Sequence, residues 1–281
     1  MTALNELTLN EARKQILAGE ITSVDLVSSC ADRINQRDAQ IGAWAHLDVS
    51  AALEAAKEAD EDRREALAAG FNPLHDAFSA LHGLPIGVKD ILDTAALPTE
   101  NGTPAMAGRT PDVNAVAVDL LMSAGAIIAG KTVTTELALF TPRGTRNPVD
   151  LTCSPGGSSA GSAAAVADFH VPAALATQTA GSILRPASYC GVIGFKPTFD
   201  IVPTTGALCQ AAPLDTIGVI ARSVDDVALV TDAITMMAAA TVSRLAEART
   251  FGQARPRIAR LHLPVDQDAD PAALAALDAF V

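Results

Sequence analysis

Residues 154–198 read SPGGSSAGSAAAVADFHVPAALATQTAGSILRPASYCGVIGFKPT. A glycine-rich turn leads into a small-residue helix, SSAGSAAAVAD, and then into a buried strand, PAALATQT. A second glycine turn around Ser182 follows, and VIGFK reads as another strand. The same rhythm extends outward. LPIGV at 84–88, AIIAGK at 126–131, TIGVIA at 216–221 and RIARLHL at 257–263 are strand candidates. Between them VNAVAVDLLMSAG forms a helix stopped by Gly125, and Ser223 caps a helix running through Met237. Asp270-Pro271 opens a last helix. Such alternation predicts an α/β fold with a mixed, largely parallel central sheet covered by helices on both faces.

The chain before residue 80 has helical spacing. Thr8-Leu9-Asn10-Glu11 fits a capping box, with Gly19 as the stop. A second helix spans Thr22 to about Gln36, and an alanine- and charge-rich third covers Val49–Ala69 up to Gly70. No internal repeat or linker composition divides the chain. One domain over 1–281 is expected: a helical region to 70, a core over 80–240, and the start of a further part over 241–281.

Composition narrows the function classes. Of 281 residues, 49% are hydrophobic and only 4% aromatic, so the core must be built from Ala, Val, Leu and Ile. A net charge of −12 offers no footprint for direct nucleic-acid binding and no attraction to anionic membranes. No apolar run approaches a membrane span, and the N-terminus lacks the basic start and apolar stretch of a signal peptide. The four cysteines have no CxxC spacing, and the five histidines are scattered, so neither a disulfide framework nor a metal site is expected. A cytoplasmic protein with reduced thiols is the expectation.

The chemistry-bearing residues are Ser158, Ser182 and Lys89. A serine hydroxyl becomes nucleophilic when a base takes its proton. Lysine can serve if burial keeps its amine neutral, and Lys89 ends the apolar run LPIGV. The bland alternative is a surface lysine paired with Asp90 or Asp93. GGSSAG opens a helix, so its backbone suits an anion or oxyanion, yet neither GxxxxGK[ST] nor GxGxxG is present. Thr179-Ala180-Gly181-Ser182 ends the buried strand, where bare backbone N–H groups could face a developing oxyanion. An ordinary strand-ending turn is the competing reading there.

Taken together, these segments resemble the amidase signature family, whose motif runs GGSSGG…DxGGSIRxPA. GLPIGVKDILDTAALPTENGTPAMAG is similar to the family's lysine segment. CGVIGFKPT and LDTIGVIARSVDDVALV are similar to its downstream segments. The similarity covers roughly residues 8–265. It implies Ser182 as acyl-accepting nucleophile, Ser158 as a bridging serine after a cis peptide, and Lys89 as base. It further implies an oxyanion hole of the Thr179, Ala180 and Gly181 N–H groups. The implied reaction is hydrolysis of a linear carboxamide through an acyl-enzyme, with no metal and no organic cofactor. A small-molecule amide would be the partner, and a homodimer stays open.

Four departures mark this chain. Gln178 stands where the family has Asp. Ala180 replaces a glycine, which disfavours positive φ and narrows the approach. The arginine after the nucleophile moves to Arg185, giving the TQTxGSxxRP form shared by some amidases of small acid amides. Arg185 could therefore hold a substrate carboxylate, or simply order a loop through an ion pair. Lastly, family members continue well past the equivalent of residue 265, so the chain looks C-terminally truncated, with an incomplete sheet. Two alternatives accompany the amidase reading: the glutaminase component of a tRNA-dependent amidotransferase, and an inactive truncated remnant.

Overall fold

The computed structural model describes residues 3–71, 78–235 and 259–280, and the capping box at Thr8 is formed. Thr8 Oγ1 accepts from the Glu11 N–H, while the Glu11 carboxylate accepts from the Thr8 N–H, opening helix α1 (Leu9–Ala18). Thr22 and Asp25 form a second box that opens α2 (Ser23–Ile41), and α3 covers Val49–Ala68. Between them lies β1 (Trp44–Leu47), which the sequence pattern does not announce. Four residues, none of them fully buried, carry too little alternation to be read as a strand.

The core follows as β2 (Pro85–Lys89), α4 (Val116–Ser123), β3 (Ile127–Thr132), α5 (Ala160–Ala167) and β4 (Ala173–Gln178). Then come α6 (Leu184–Cys190), β5 (Ile193–Phe195), β6 (Thr216–Ala221) and α7 (Val224–Ala233). Helix α6 is likewise unannounced, because Pro186 sits in it. In a first turn proline is tolerated, since the N–H groups there lack helical acceptors anyway. Helix α7 ends at Ala233 rather than Met237. Thr231 Oγ1 bonds back to the Val227 carbonyl and Thr235 Oγ1 to that of Asp232, competing with the helical ladder. Residues 236 and 237 lie outside the described residues.

Residues 1–238 and 239–281 form two compact units. In the second, α8 (Pro271–Phe280) follows Asp270 as expected. Residues 259–263 are not a strand, and 257–258 lie outside the described residues. Leu261 is 77% exposed, and no strand is described in this unit to satisfy the backbone of an extended segment.

The six strands of the first unit form one mixed sheet in the order β1-β3-β2-β4-β6-β5. Pairing is parallel for β3, β2 and β4 and antiparallel at both flanks. Parallel character is thus confined to the central three strands. Both faces are covered, which explains why the strands read as continuous apolar runs. Ile86, Val88, Leu175 and Val219 join a core with α1, α2, α4 and α7. Ala174, Ala176 and Ile220 face a second core built on the alanines of α5 together with α6.

Helix α5 comes unusually close to the backbone beneath it. At Gly161 an added Cβ would lie 2.3 Å from the Ala43 carbonyl oxygen and 2.3 Å from the Val133 nitrogen. The Gly161 N–H meanwhile donates to the Val133 carbonyl at 2.8 Å. Glycine is required here for close approach, and the turn just before this helix carries Ser158. Replacing Gly161 with Ala must push α5 off the sheet. The expected cost is about 2 kcal/mol, read in a thermal melt as a midpoint lower by about 4–8 °C.

Candidate active site

Lys89 is the last residue of β2, an inner strand flanked by β3 and β4, and it has no solvent exposure. Its Nζ lies 2.8 Å from Ser158 Oγ and 2.8 Å from Thr177 Oγ1. Burial pushes its pKa well below the ordinary amine value of 10.5, with the Asp215 carboxylate acting the other way. A neutral amine has two N–H groups and one lone pair. Donating one N–H to Thr177 leaves the lone pair able to receive the Ser158 proton. The surface-pair reading fails on this geometry. Asp93 binds Arg109 at 2.7 and 3.0 Å, and Asp90 lies 3.5 Å from Lys131.

Ser158 is buried in the turn that opens α5, after a cis Gly157–Ser158 peptide. Its carbonyl accepts from the Thr135 N–H at 3.0 Å. The neighbouring Ser159 ties three segments together. Its hydroxyl donates to the Thr177 carbonyl at 3.2 Å, and its N–H donates to the Ser182 carbonyl at 3.3 Å. The Ser182 main chain is thereby fixed beside the Ser158 turn. Among the described residues the Ser182 hydroxyl has no hydrogen-bond partner. The structure thus forms the Lys89–Ser158 contact and sets Ser182 alongside it with a free hydroxyl.

Gln178 explains its own departure from the family pattern. Its Oε1 accepts from the N–H groups of Ile183 at 2.8 Å and Leu184 at 3.0 Å, fixing the turn that carries Ser182. A neutral carboxamide oxygen suffices for that task. Ala180 lies outside the left-handed region, so its Cβ imposes no backbone strain. Among the described residues, the N–H groups of Ala180, Gly181 and Ser182 have no protein acceptor. Thr179 is held through its hydroxyl, which donates to Asp215 at 2.5 Å. Arg185 is exposed and, among the described residues, makes no ion pair; its Nε donates to the Gly157 carbonyl at 3.0 Å, one residue before Ser158. Ser158, Thr177, Thr179, Gln210 and Asp215 line one cavity.

Three features escape the sequence. Thr177, the second partner of Lys89, is hidden inside the TQT triplet. Asp215 lies within the LDTIGVIA segment, where an acid beside a strand carries no sign of its distant partner. Lys131 is a second fully buried lysine. It donates to the Leu92 carbonyl at 2.9 Å and Thr99 Oγ1 at 2.5 Å, and burial lowers its pKa to about 8. Burial also raises Asp90, against the pull of Lys131. Among the described residues no group of His, Cys, Asp and Glu is arranged to hold a metal, and no helix is long and apolar enough to cross a membrane.

A buried lysine in contact with a serine thus sits on an inner strand of a mixed sheet. A family model described as Amidase matches residues 25–279. The glutamyl-tRNA(Gln) amidotransferase A-chain protein of Chloroflexus aggregans is 42% identical over 240 residues, covering 83% of this chain and 47% of that protein. Its counterpart from Desulforapulum autotrophicum is 44% identical over 237 residues, covering 82% and 46%. The peptide amidase of Stenotrophomonas maltophilia superposes with a TM-score of 0.76 at 33% identity, over 90% of this chain and 51% of that one. The chain belongs to the amidase family. It spans about half the length of the relatives it matches.

The two buried lysines should respond differently to removal. Lys131→Met leaves the Asp90 carboxylate buried without its cation and should cost about 3 kcal/mol. Lys89→Met breaks no ion pair and should cost less than half as much in the same denaturant titration.

Proposed function

We propose that this chain hydrolyses the C–N bond of linear carboxamides through an acyl-enzyme on Ser182. The observation that carries this reading is the contact between the fully buried Lys89 amine and Ser158 Oγ. In the first step Ser182 Oγ turns toward Ser158 and attacks the amide carbonyl carbon. Its proton passes to Ser158 Oγ as the Ser158 proton passes to the neutral Lys89 amine. The tetrahedral oxyanion is met by the backbone N–H groups of Thr179, Ala180 and Gly181, each such donor being worth about 3 kcal/mol of barrier. As the intermediate collapses, the proton returns through Ser158 to the leaving nitrogen, and ammonia or an amine departs. Water then attacks the ester, giving its proton to the same relay, and the carboxylic acid is released.

Arg185 supports a finer proposal, that the preferred amides carry a carboxylate. Nε is engaged at Gly157, while the terminal guanidinium nitrogens have no partner among the described residues. They lie on the residue that packs against the Ser158 turn and suit a bidentate contact. A second reading rests on the curated relatives, which are components of a glutamyl-tRNA(Gln) amidotransferase. On that reading the amide is glutamine and a protein partner receives the ammonia. Copurification of a partner together with glutamine hydrolysis would favour it over a free-standing amidase.

The sign of the pH dependence follows from Lys89. Only the neutral amine accepts a proton, so kcat/KM should rise with pH through the lowered Lys89 pKa and stay flat above it. A fluorophosphonate probe should label Ser182, with labelling lost in Ser182→Ala and in Lys89→Arg at every pH, because a guanidinium cannot act as base. A folded, unlabelled wild type would favour the inactive-remnant alternative. Arg185→Leu should lower kcat/KM at least tenfold more for amides bearing a terminal carboxylate than for neutral ones; equal losses would rule out carboxylate recognition.

A further inference from the structure

Asp215 lines the same cavity as Ser158, Thr177, Thr179 and Gln210. Its Oδ1 accepts the Thr179 hydroxyl at 2.5 Å, and its Oδ2 accepts the N–H groups of Gln210 at 2.7 Å and Ala211 at 2.9 Å. Burial raises its pKa, but these hydrogen bonds outweigh burial and hold the carboxyl below its ordinary value, so it is an anion. The Gln210 side-chain amide continues the network by donating to the Leu137 carbonyl. Leu137 and the cavity-lining Ala138 are consecutive non-glycine residues in the left-handed region, at φ 49° and 55°. Such a conformation persists only where its surroundings enforce it. Here the Gln210 amide and the Leu137 N–H, bound to the Asn101 carbonyl at 2.8 Å, supply that enforcement.

We propose that Asp215 is a positioning residue of the amide-hydrolysing site: through Thr179 it fixes the oxyanion loop, and through the Gln210 and Ala211 backbone it locks that loop to the cavity wall. This inference rests on the function proposed above. Thr179 begins the loop whose Ala180 and Gly181 N–H groups, two of the proposed oxyanion donors, have no acceptor among the described residues, so that side-chain anchor at 2.5 Å governs where those donors point. Donor placement within about half an ångström is what oxyanion stabilisation requires. Asp215 is also the charged group that acts on Lys89. Lys131 and Asp90 on the neighbouring elements face each other instead, and Arg109 faces Asp93.

The test compares wild type, Asp215→Asn and Thr179→Val in turnover of a simple carboxamide and in the rate of Ser182 labelling by a fluorophosphonate. Each variant should lower kcat and the labelling rate about 10- to 100-fold while KM moves less than about threefold. Asp215→Asn should also shift the acidic limb of kcat/KM to lower pH, because the lost anion no longer favours the Lys89 ammonium. Thr179→Val should leave that limb in place. A purely structural role would lower the melting point without moving the limb. Wild-type kcat in either folded variant, or an unmoved limb in Asp215→Asn, overturns the inference and leaves the amidase reading intact. Should Asp215→Asn fail to fold, Thr179→Val alone decides the contact. A wild type that neither labels nor turns over any carboxamide overturns both.

Discussion

The Lys89 amine, without solvent exposure, is held by two hydroxyls at 2.8 Å, and the proposed chemistry depends on that arrangement. An ammonium there would have no carboxylate in contact among the described residues. Desolvation of an unpaired cation is costly, so burial favours the neutral amine and pulls its pKa well below the ordinary value. The contrast with Lys131 makes the point within one molecule. Lys131 is equally buried, yet it has Asp90 within 3.5 Å and three further oxygen acceptors, and its pKa falls only to about 8. Two adjacent strands thus carry two buried lysines, one held by two hydroxyls and one paired with a carboxylate.

The sheet supplies the geometry. Lys89 is placed by the central parallel strands β3, β2 and β4, Ser158 by the turn into α5, and Ser182 by the turn after β4. The last two are joined through the Ser159 N–H, which donates to the Ser182 carbonyl, rather than through their own hydroxyls. Backbone tethering of this kind leaves the Ser182 hydroxyl free to swing while its Cα stays fixed. The close seating of α5 at Gly161 fixes the helix whose first turn follows Ser158. Stability and function are therefore coupled at that glycine, although it bears no chemistry.

Much of this is legible in the sequence because it is local. The capping box at Thr8 depends on residues three apart, and TIGVIA matches its strand residue for residue. Lys89, Ser158 and Ser182 stand out because glycine turns and an apolar strand are unusual settings for them. What stays hidden is non-local or too short. Strand β1 is four residues, and α6 carries a proline that sequence rules read as a break. Asp215 meets Thr179 across 36 residues, and nothing in either neighbourhood signals the other. Gln178 is visible in the sequence only as an oddity; its use becomes clear once two N–H groups are seen to converge on it.

The central claim is that burial holds the Lys89 amine well below the pKa of an ordinary lysine. Its direct test is an NMR titration of lysine side chains in isotope-labelled protein, with the Lys89 signal assigned by its loss in Lys89→Met. The chain has five lysines, so the spectrum is simple. A Lys89 side chain that titrates well below 10.5 is the result the account predicts. A Lys89 amine still protonated up to 10.5 would contradict it.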